Sequence, residues 1–214
     1  MIKIDNIKKA NQVKIETIIK ALEKRGMKGY YAENGEEALK MVLEMMPEGS
    51  SVGRGGSETL NQLGVFDELH KRNYTCYEPH SEPDPEKAVA IRRAIFSANF
   101  LLTSANAITM DGEIVNIDGT GNRLAPIIYG PDKVIFIVGS NKIAANVHAA
   151  YDRIRCEACP PNCIRLGKKT PCAATGVCAD CDSPDRICKV TAIFDRPPTG
   201  TPTKVIVVDE DLGY

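Results

Sequence analysis

Ser51-Val-Gly-Arg-Gly-Gly-Ser-Glu-Thr-Leu60 passes from a short strand through a glycine loop into a helix. Glycines let the backbone approach a ligand closely, and the free amides at a helix start favour an anion. Arg54 adds a guanidinium suited to bidentate contact with carboxylate or phosphate. No Gly-Lys-Ser/Thr follows, so this is not a P-loop, and the glycine spacing is not that of the dinucleotide fingerprint. An ordinary tight turn between strand and helix accounts for the loop equally well.

Outward from this loop the same alternation recurs. Val134-Ile-Phe-Ile-Val138 and Val205-Ile-Val-Val208 are β-branched apolar runs of the kind that form buried strands. Further strands are predicted near Lys28–Ala32, Tyr74–Tyr77, Phe100–Thr103 and Val190–Phe194. Between them lie helical patterns. Ile15, Ile18, Ile19 and Leu22 make one apolar stripe on a helix from about Asp5 to Arg25, and Asn34 with Glu37 forms a capping box for the next. Asp84 and Pro85 suit the start of a third. Lys142 to Ile154 reads as a helix presenting Ile143, Val147, Ala150 and Ile154 on one side, and Asp111-Gly112 suits a hairpin turn. Strands alternating with helices predict an α/β fold with a mostly parallel sheet flanked by helices. Ligands settle beyond the carboxyl ends of such strands, where the loops Gly53–Ser57 and Thr103–Asn106 emerge.

The 214 residues carry 27 Lys plus Arg against 28 Asp plus Glu, a formal net charge of −1. That balance offers no basic field to nucleic acid or anionic lipid. No apolar run is long enough to cross a bilayer, and the chain opens Met-Ile-Lys-Ile-Asp without an apolar leader. A cytoplasmic, soluble protein is expected, with neither nucleic-acid nor membrane partners. Its oligomeric state is left open.

Seven of the eight cysteines fall between Cys156 and Cys188, as Cys156-x2-Cys159-x3-Cys163 and Cys172-x5-Cys178-x2-Cys181-x6-Cys188. Two-residue gaps bring neighbouring thiolates round one metal, so Cys172, Cys178, Cys181 and Cys188 are the expected ligands of zinc or an iron–sulfur cluster. Cys156, Cys159 and Cys163 are candidates for a second centre. Redox-active thiols or structural cysteines are the alternatives. Cys76, alone in a strand, reads as a small buried apolar residue, and His148 as a helix-surface histidine.

The candidate ligand site comprises Gly53, Arg54, Gly55, Gly56, Ser57 and Thr59, with Ser104 and Asn106, and then Asn116, Asp118, Gly119, Asn122 and Arg123. Small residues leave room for a ligand, and amides, hydroxyls and guanidinia fix it. Asp118 is the candidate general base and Glu113 a weaker one. Arg123→Ala is expected to weaken anion binding with stability nearly unchanged.

Ser51–Leu60, Thr103-Ser-Ala-Asn-Ala-Ile108, Val115-Asn-Ile-Asp-Gly-Thr-Gly-Asn-Arg123 and Asp132-Lys-Val-Ile135 resemble the lactate-utilisation (LUD) domain family over nearly the whole chain. The resemblance implies one domain over 1–214, with the cysteine-rich segment 156–188 inside it. It also implies a fold akin to the sugar-phosphate isomerase and coenzyme A transferase group. A bacterial or archaeal protein is implied, acting with iron–sulfur partner proteins in oxidising lactate to pyruvate; independent catalysis is not. Pro171–Cys188 resembles a cysteine-bearing subgroup. The expected ligand is a small anionic metabolite. A non-redox isomerase, hydrolase or acyl-transferring enzyme, and a regulatory module with structural zinc, are the alternatives.

Overall fold

A computed structural model describes residues 2–214, with side chains from residue 6 onward. Its strands are β1 (Lys28–Ala32), β2 (Ser51–Arg54), β3 (Thr75–Tyr77), β4 (Phe100–Thr103), β5 (Ala107–Thr109), β6 (Ile114–Asp118), β7 (Lys133–Gly139), β8 (Ile143–Ala144), β9 (Val190–Phe194) and β10 (Thr203–Val208). The helices are α1 (Ile2–Lys24), α2 (Gly35–Met45), α3 (Glu58–Gln62), α4 (Val65–His70), α5 (Pro85–Ala94), α6 (Leu124–Ile128), α7 (Val147–Arg153), α8 (Cys159–Arg165) and α9 (Pro171–Thr175).

Six strands form a sheet in the order β1-β10-β7-β4-β2-β3, parallel at every pairing. Side chains alternate between the faces of a strand, and both faces of β7 are apolar. Val134, Phe136 and Val138 pack with Ile15, Ile18 and Leu22 of α1. Ile135 and Ile137 pack with Val42 of α2, Leu60 of α3 and Phe66 of α4. Each large apolar side chain removed from water this way contributes about 1.5–3 kcal/mol. The helices on both faces are therefore held by the sheet.

A second sheet, β8-β5-β6-β9, lies beside the first. Ile108, Ile114 and Phe194 join its inner face to the α1 side of the core. Ala107 and Val115 on the other face are covered by Ala150, Ile154 and Ala158. Gly112, at φ 85°, closes the β5–β6 hairpin in a backbone conformation that suits glycine. The two strands after the cysteines enter different sheets: β10 lies between β1 and β7, whereas β9 runs antiparallel to β6.

The helix expected over Lys142–Ile154 is shorter and displaced. Ser140–Lys142 forms a 3-10 turn, and Ile143 and Ala144 pair with Ile108 and Thr109. α7 begins at Val147, where Asn146 Oδ1 accepts from Ala149 N at 3.0 Å. Sheet pairing and the asparagine cap together override the helical periodicity. Past α7, a π-helical stretch, Ile154–Ala158, leads into α8.

Candidate functional site

A cavity of ≈ 330 Å³ opens beyond the carboxyl ends of β2, β4 and β7. Those ends deliver Gly56 and Ser57, Ser104, and Lys142 to its wall; Asp118 and Gly119 come from the end of β6. The far wall belongs to the cysteine segment, through Ala158, Cys159 and Ile187. Parallel strands converge on one edge, so their following loops share one space.

Asp118 and Arg123 form the most heavily bonded pair of this site. Asp118 Oδ2 accepts from the backbone N–H of Arg123 at 3.1 Å and of Leu124 at 3.0 Å. Asp118 Oδ1 accepts from Arg123 Nε at 2.9 Å and Nη2 at 2.5 Å. Nη2 also donates to Asn106 Oδ1 at 2.7 Å and to the Ile117 carbonyl at 2.9 Å. Asn106 and Asn116 close the lattice: Asn116 Oδ1 accepts from Asn106 N at 2.7 Å, and Asn106 Oδ1 from Ile117 N at 2.9 Å. A carboxylate with four donors is occupied in shaping the turn from β6 to α6.

Lys142 has no such counter-charge. It is 3% exposed, and its Nζ donates to Thr59 Oγ1 at 2.7 Å and Ser104 Oγ at 3.1 Å. Burial, followed by the nearby charges of Arg153 and Arg123, holds its amine down at about 7. Of the other charged lining residues, Glu58 pairs with Arg165 at 3.4 Å and Asp118 with Arg123. Lys142, Lys168 and His80 add to the lining without a bridging carboxylate among the described residues. Burial and then Arg92, Arg54 and Arg165 hold the His80 ring below its ordinary value. Both shifts favour the neutral forms, so Lys168 carries the positive excess.

All eight cysteines are free thiols. The π-helical stretch leaves Cys156 exposed, while Cys159 and Cys163, one helical turn apart, are buried. Cys163 Sγ lies 3.7 Å from Cys172 Sγ. Two sulfurs of a tetrahedral site with bonds of ~2.3 Å stand ~3.8 Å apart, whereas a disulfide needs ~2.05 Å. This pair takes one sulfur from the expected set of three and one from the expected set of four. Among the described residues no group of three or more Cys, His, Asp or Glu is gathered as a metal site.

Arg155 Nε donates to Cys178 Sγ at 3.3 Å, and Arg186 donates to the carbonyls of Cys188 and Cys181 at 2.7 and 2.8 Å. Asp180, at φ 45°, accepts from both arginines. Burial, then the neighbouring sulfurs Cys188, Cys163, Cys178 and Cys172, pushes the Cys159 thiol up to about 12.

The LUD domain model matches residues 15–208. The chain belongs to the LUD domain family. No curated protein matches its sequence. The crystal structure of a DUF162 family protein from Deinococcus radiodurans matches over 92% of this chain and 98% of that one, with a TM-score of 0.56 and 12% identity. At that identity the likeness speaks for the α/β fold alone.

Within the LUD domain, Gly56, Ser57, Ser104, Asn106, Asp118, Gly119, Asn122 and Arg123 line the cavity; Gly53, Arg54, Gly55, Thr59 and Asn116 do not. A Cβ on Gly53 would stand 2.8 Å from Ile95 Cγ2, so its smallness serves packing against the helix side. Arg54 is bonded to Glu78 at 3.2 Å and stacks over Phe66 at 4.8 Å. Glu113 lies away from the cavity, bonded to Arg25 and to the Thr109 hydroxyl. Cys76 is half-buried. Lys142 carries no motif of its own; the available signal is its place just past the buried strand Lys133–Gly139. Among the described residues no helix is long and apolar enough to cross a membrane.

Proposed function

We propose that this LUD-domain chain is a redox-associated, cytoplasmic component of the lactate-utilisation type. In this reading it takes a small anionic metabolite into the cavity and holds a metal or iron–sulfur centre in the adjoining cysteine segment. One observation carries this: Cys159 lines the cavity and also sits within electrostatic reach of Cys163, Cys172, Cys178 and Cys188. A ligand there lies next to sulfur. The positive excess of the lining selects anions, and ≈ 330 Å³ suits a small one. Cys163 and Cys172, at the edge length of a tetrahedral site, are the sulfurs best placed to share one metal ion. A bound cluster would supply one-electron transfer, with iron–sulfur proteins as natural partners.

That same pair spacing favours a second reading, in which a single zinc ion clamps the loop-rich lobe. The domain would then be a non-redox enzyme or a ligand-binding regulatory module. Anaerobic purification decides between them. Visible charge-transfer absorption with stoichiometric iron and sulfide supports the redox component, and a colourless protein with stoichiometric zinc supports the clamp. A protein with neither, whose thiols all titrate freely, overturns both.

A further inference from the structure

Lys142 is placed as few surface lysines are. It reaches the cavity from the carboxyl edge of the parallel sheet, directly after β7. Its Nζ is pinned between the hydroxyls of Thr59 and Ser104, and the chain end folds against it: a Cβ on Gly213 would lie 3.1 Å from Nζ and 2.7 Å from Thr59 Oγ1. The amine is thus fixed at one spot, shielded from bulk water, with two hydroxyls in contact. No carboxylate among the described residues bridges it.

An ammonium buried without a counter-charge is costly, and the group sheds its proton instead. Lysines desolvated beside other cations become nucleophiles for this reason. Here the neighbouring cations are Arg123 and Arg153. Arg123 is held by Asp118, and Arg153 donates to the carbonyls of Asn141 and Asn106 at 2.8 and 2.7 Å. Neither bonds Lys142; both raise the local potential.

We propose that Lys142 is a covalent-binding residue of the cavity, its amine condensing with the carbonyl carbon of a small 2-oxo carboxylate to form an imine. The inference rests on the cavity being an anion site and names the substrate class. The Nζ lone pair attacks the carbonyl carbon, and the C=O π pair moves to oxygen, which takes a proton to give the carbinolamine. That hydroxyl leaves as water on gaining a second proton, while the nitrogen loses one of its two hydrogens and keeps one. Amine, carbonyl and one proton thus give iminium and water, with no oxidant or reductant. The Thr59 and Ser104 hydroxyls, at hydrogen-bond distance, relay the protons. The positive lining receives the carboxylate.

The test uses the full chain, incubated with pyruvate or glyoxylate and then reduced with sodium borohydride, with propionate as the carbonyl-free control. Mass spectrometry of the digest should find one reduced adduct on Lys142, at least about ten-fold above any surface lysine, and none with propionate. Yield should rise several-fold between pH 6 and pH 8. Lys142→Arg, whose guanidinium does not condense with the carbonyl, should remove the adduct. Calorimetric binding of both 2-oxo acids with no adduct would overturn the covalent step and leave the anion site standing. No binding of either acid would overturn both. Should Lys142→Arg fail to fold, protection of wild-type Lys142 from acetic anhydride by pyruvate replaces it; absence of protection counts against the proposal.

Discussion

Arg123 and Asp118 grip each other through side chain and backbone at once: one carboxylate oxygen takes the guanidinium, the other the N–H groups of Arg123 and Leu124. With side chains 12% and 6% exposed, the pair is nearly dry. Its geometry sets the turn that carries Gly119 and Asn122 to the cavity. An Arg123 that merely held a ligand would be dispensable to the fold; this one is not.

Arg123→Ala should therefore destabilise the fold, where the sequence alone leads one to expect stability nearly unchanged. It strands the Asp118 carboxylate and unties Asn106, and removing one partner of a buried pair costs about 3–5 kcal/mol. The check is urea unfolding. A midpoint within error of wild type would show that the Asp118 lock is slack in solution.

Lys142 makes stability depend on pH with a definite sign. Its folded value of about 7 lies below the ordinary lysine value of 10.5. Between them the unfolded chain holds a proton that the folded chain lacks, so folding becomes more favourable as pH rises through that window. Below about pH 7 both states are charged and the burial penalty is complete. Lys142→Met should therefore melt higher than wild type at pH 6, with the gap narrowing steadily toward pH 10. A pH-independent gap between the two proteins would mean that the amine is not desolvated.

The sheet was legible because β7 and β10 are apolar on both faces, a pattern that only a strand covered on both sides requires. Ser57 and Ser104 were legible because they follow such strands, at the edge where ligands gather. Lys142 was not: a single lysine in a stretch with helical periodicity looks solvated, and only the pairing of Ile143 and Ala144 with β5 turns it inward. The Cys163–Cys172 contact was hidden for a related reason. Spacing reports neighbours along the chain, and the eight residues between these two fold back so that sulfurs from different runs meet.

Cysteine reactivity should follow that three-dimensional arrangement. Cys156 is exposed, whereas Cys159, Cys163 and Cys172 are buried. Brief iodoacetamide treatment of the native, metal-stripped protein should label Cys156 at least about ten-fold faster than those three, because the reagent must reach the sulfur. Peptide mass spectrometry reads the order. Equal rates at Cys156 and Cys159 would mean that the helix through Cys159 does not pack as described.

Gly119 ties the two halves of the site together. A Cβ there would stand 2.8 Å from the carbonyl oxygen of Ile187 and 3.1 Å from its Cα. Both are backbone atoms, one residue before Cys188, and cannot swing aside. Gly119→Ala must push the cysteine segment off the cavity turn, an overpacking cost of about 1–3 kcal/mol. Cys188, half-buried and packed beside Cys159, should become more reactive toward thiol reagents as the segment lifts. Gly200→Ala is the matching control, since a Cβ there meets nothing within 4 Å. If both variants melt with wild type and Cys188 reacts at the same rate in each, the cavity turn and the cysteine segment are not in contact, and a ligand in the one would have no physical route to the sulfur of the other through this wall.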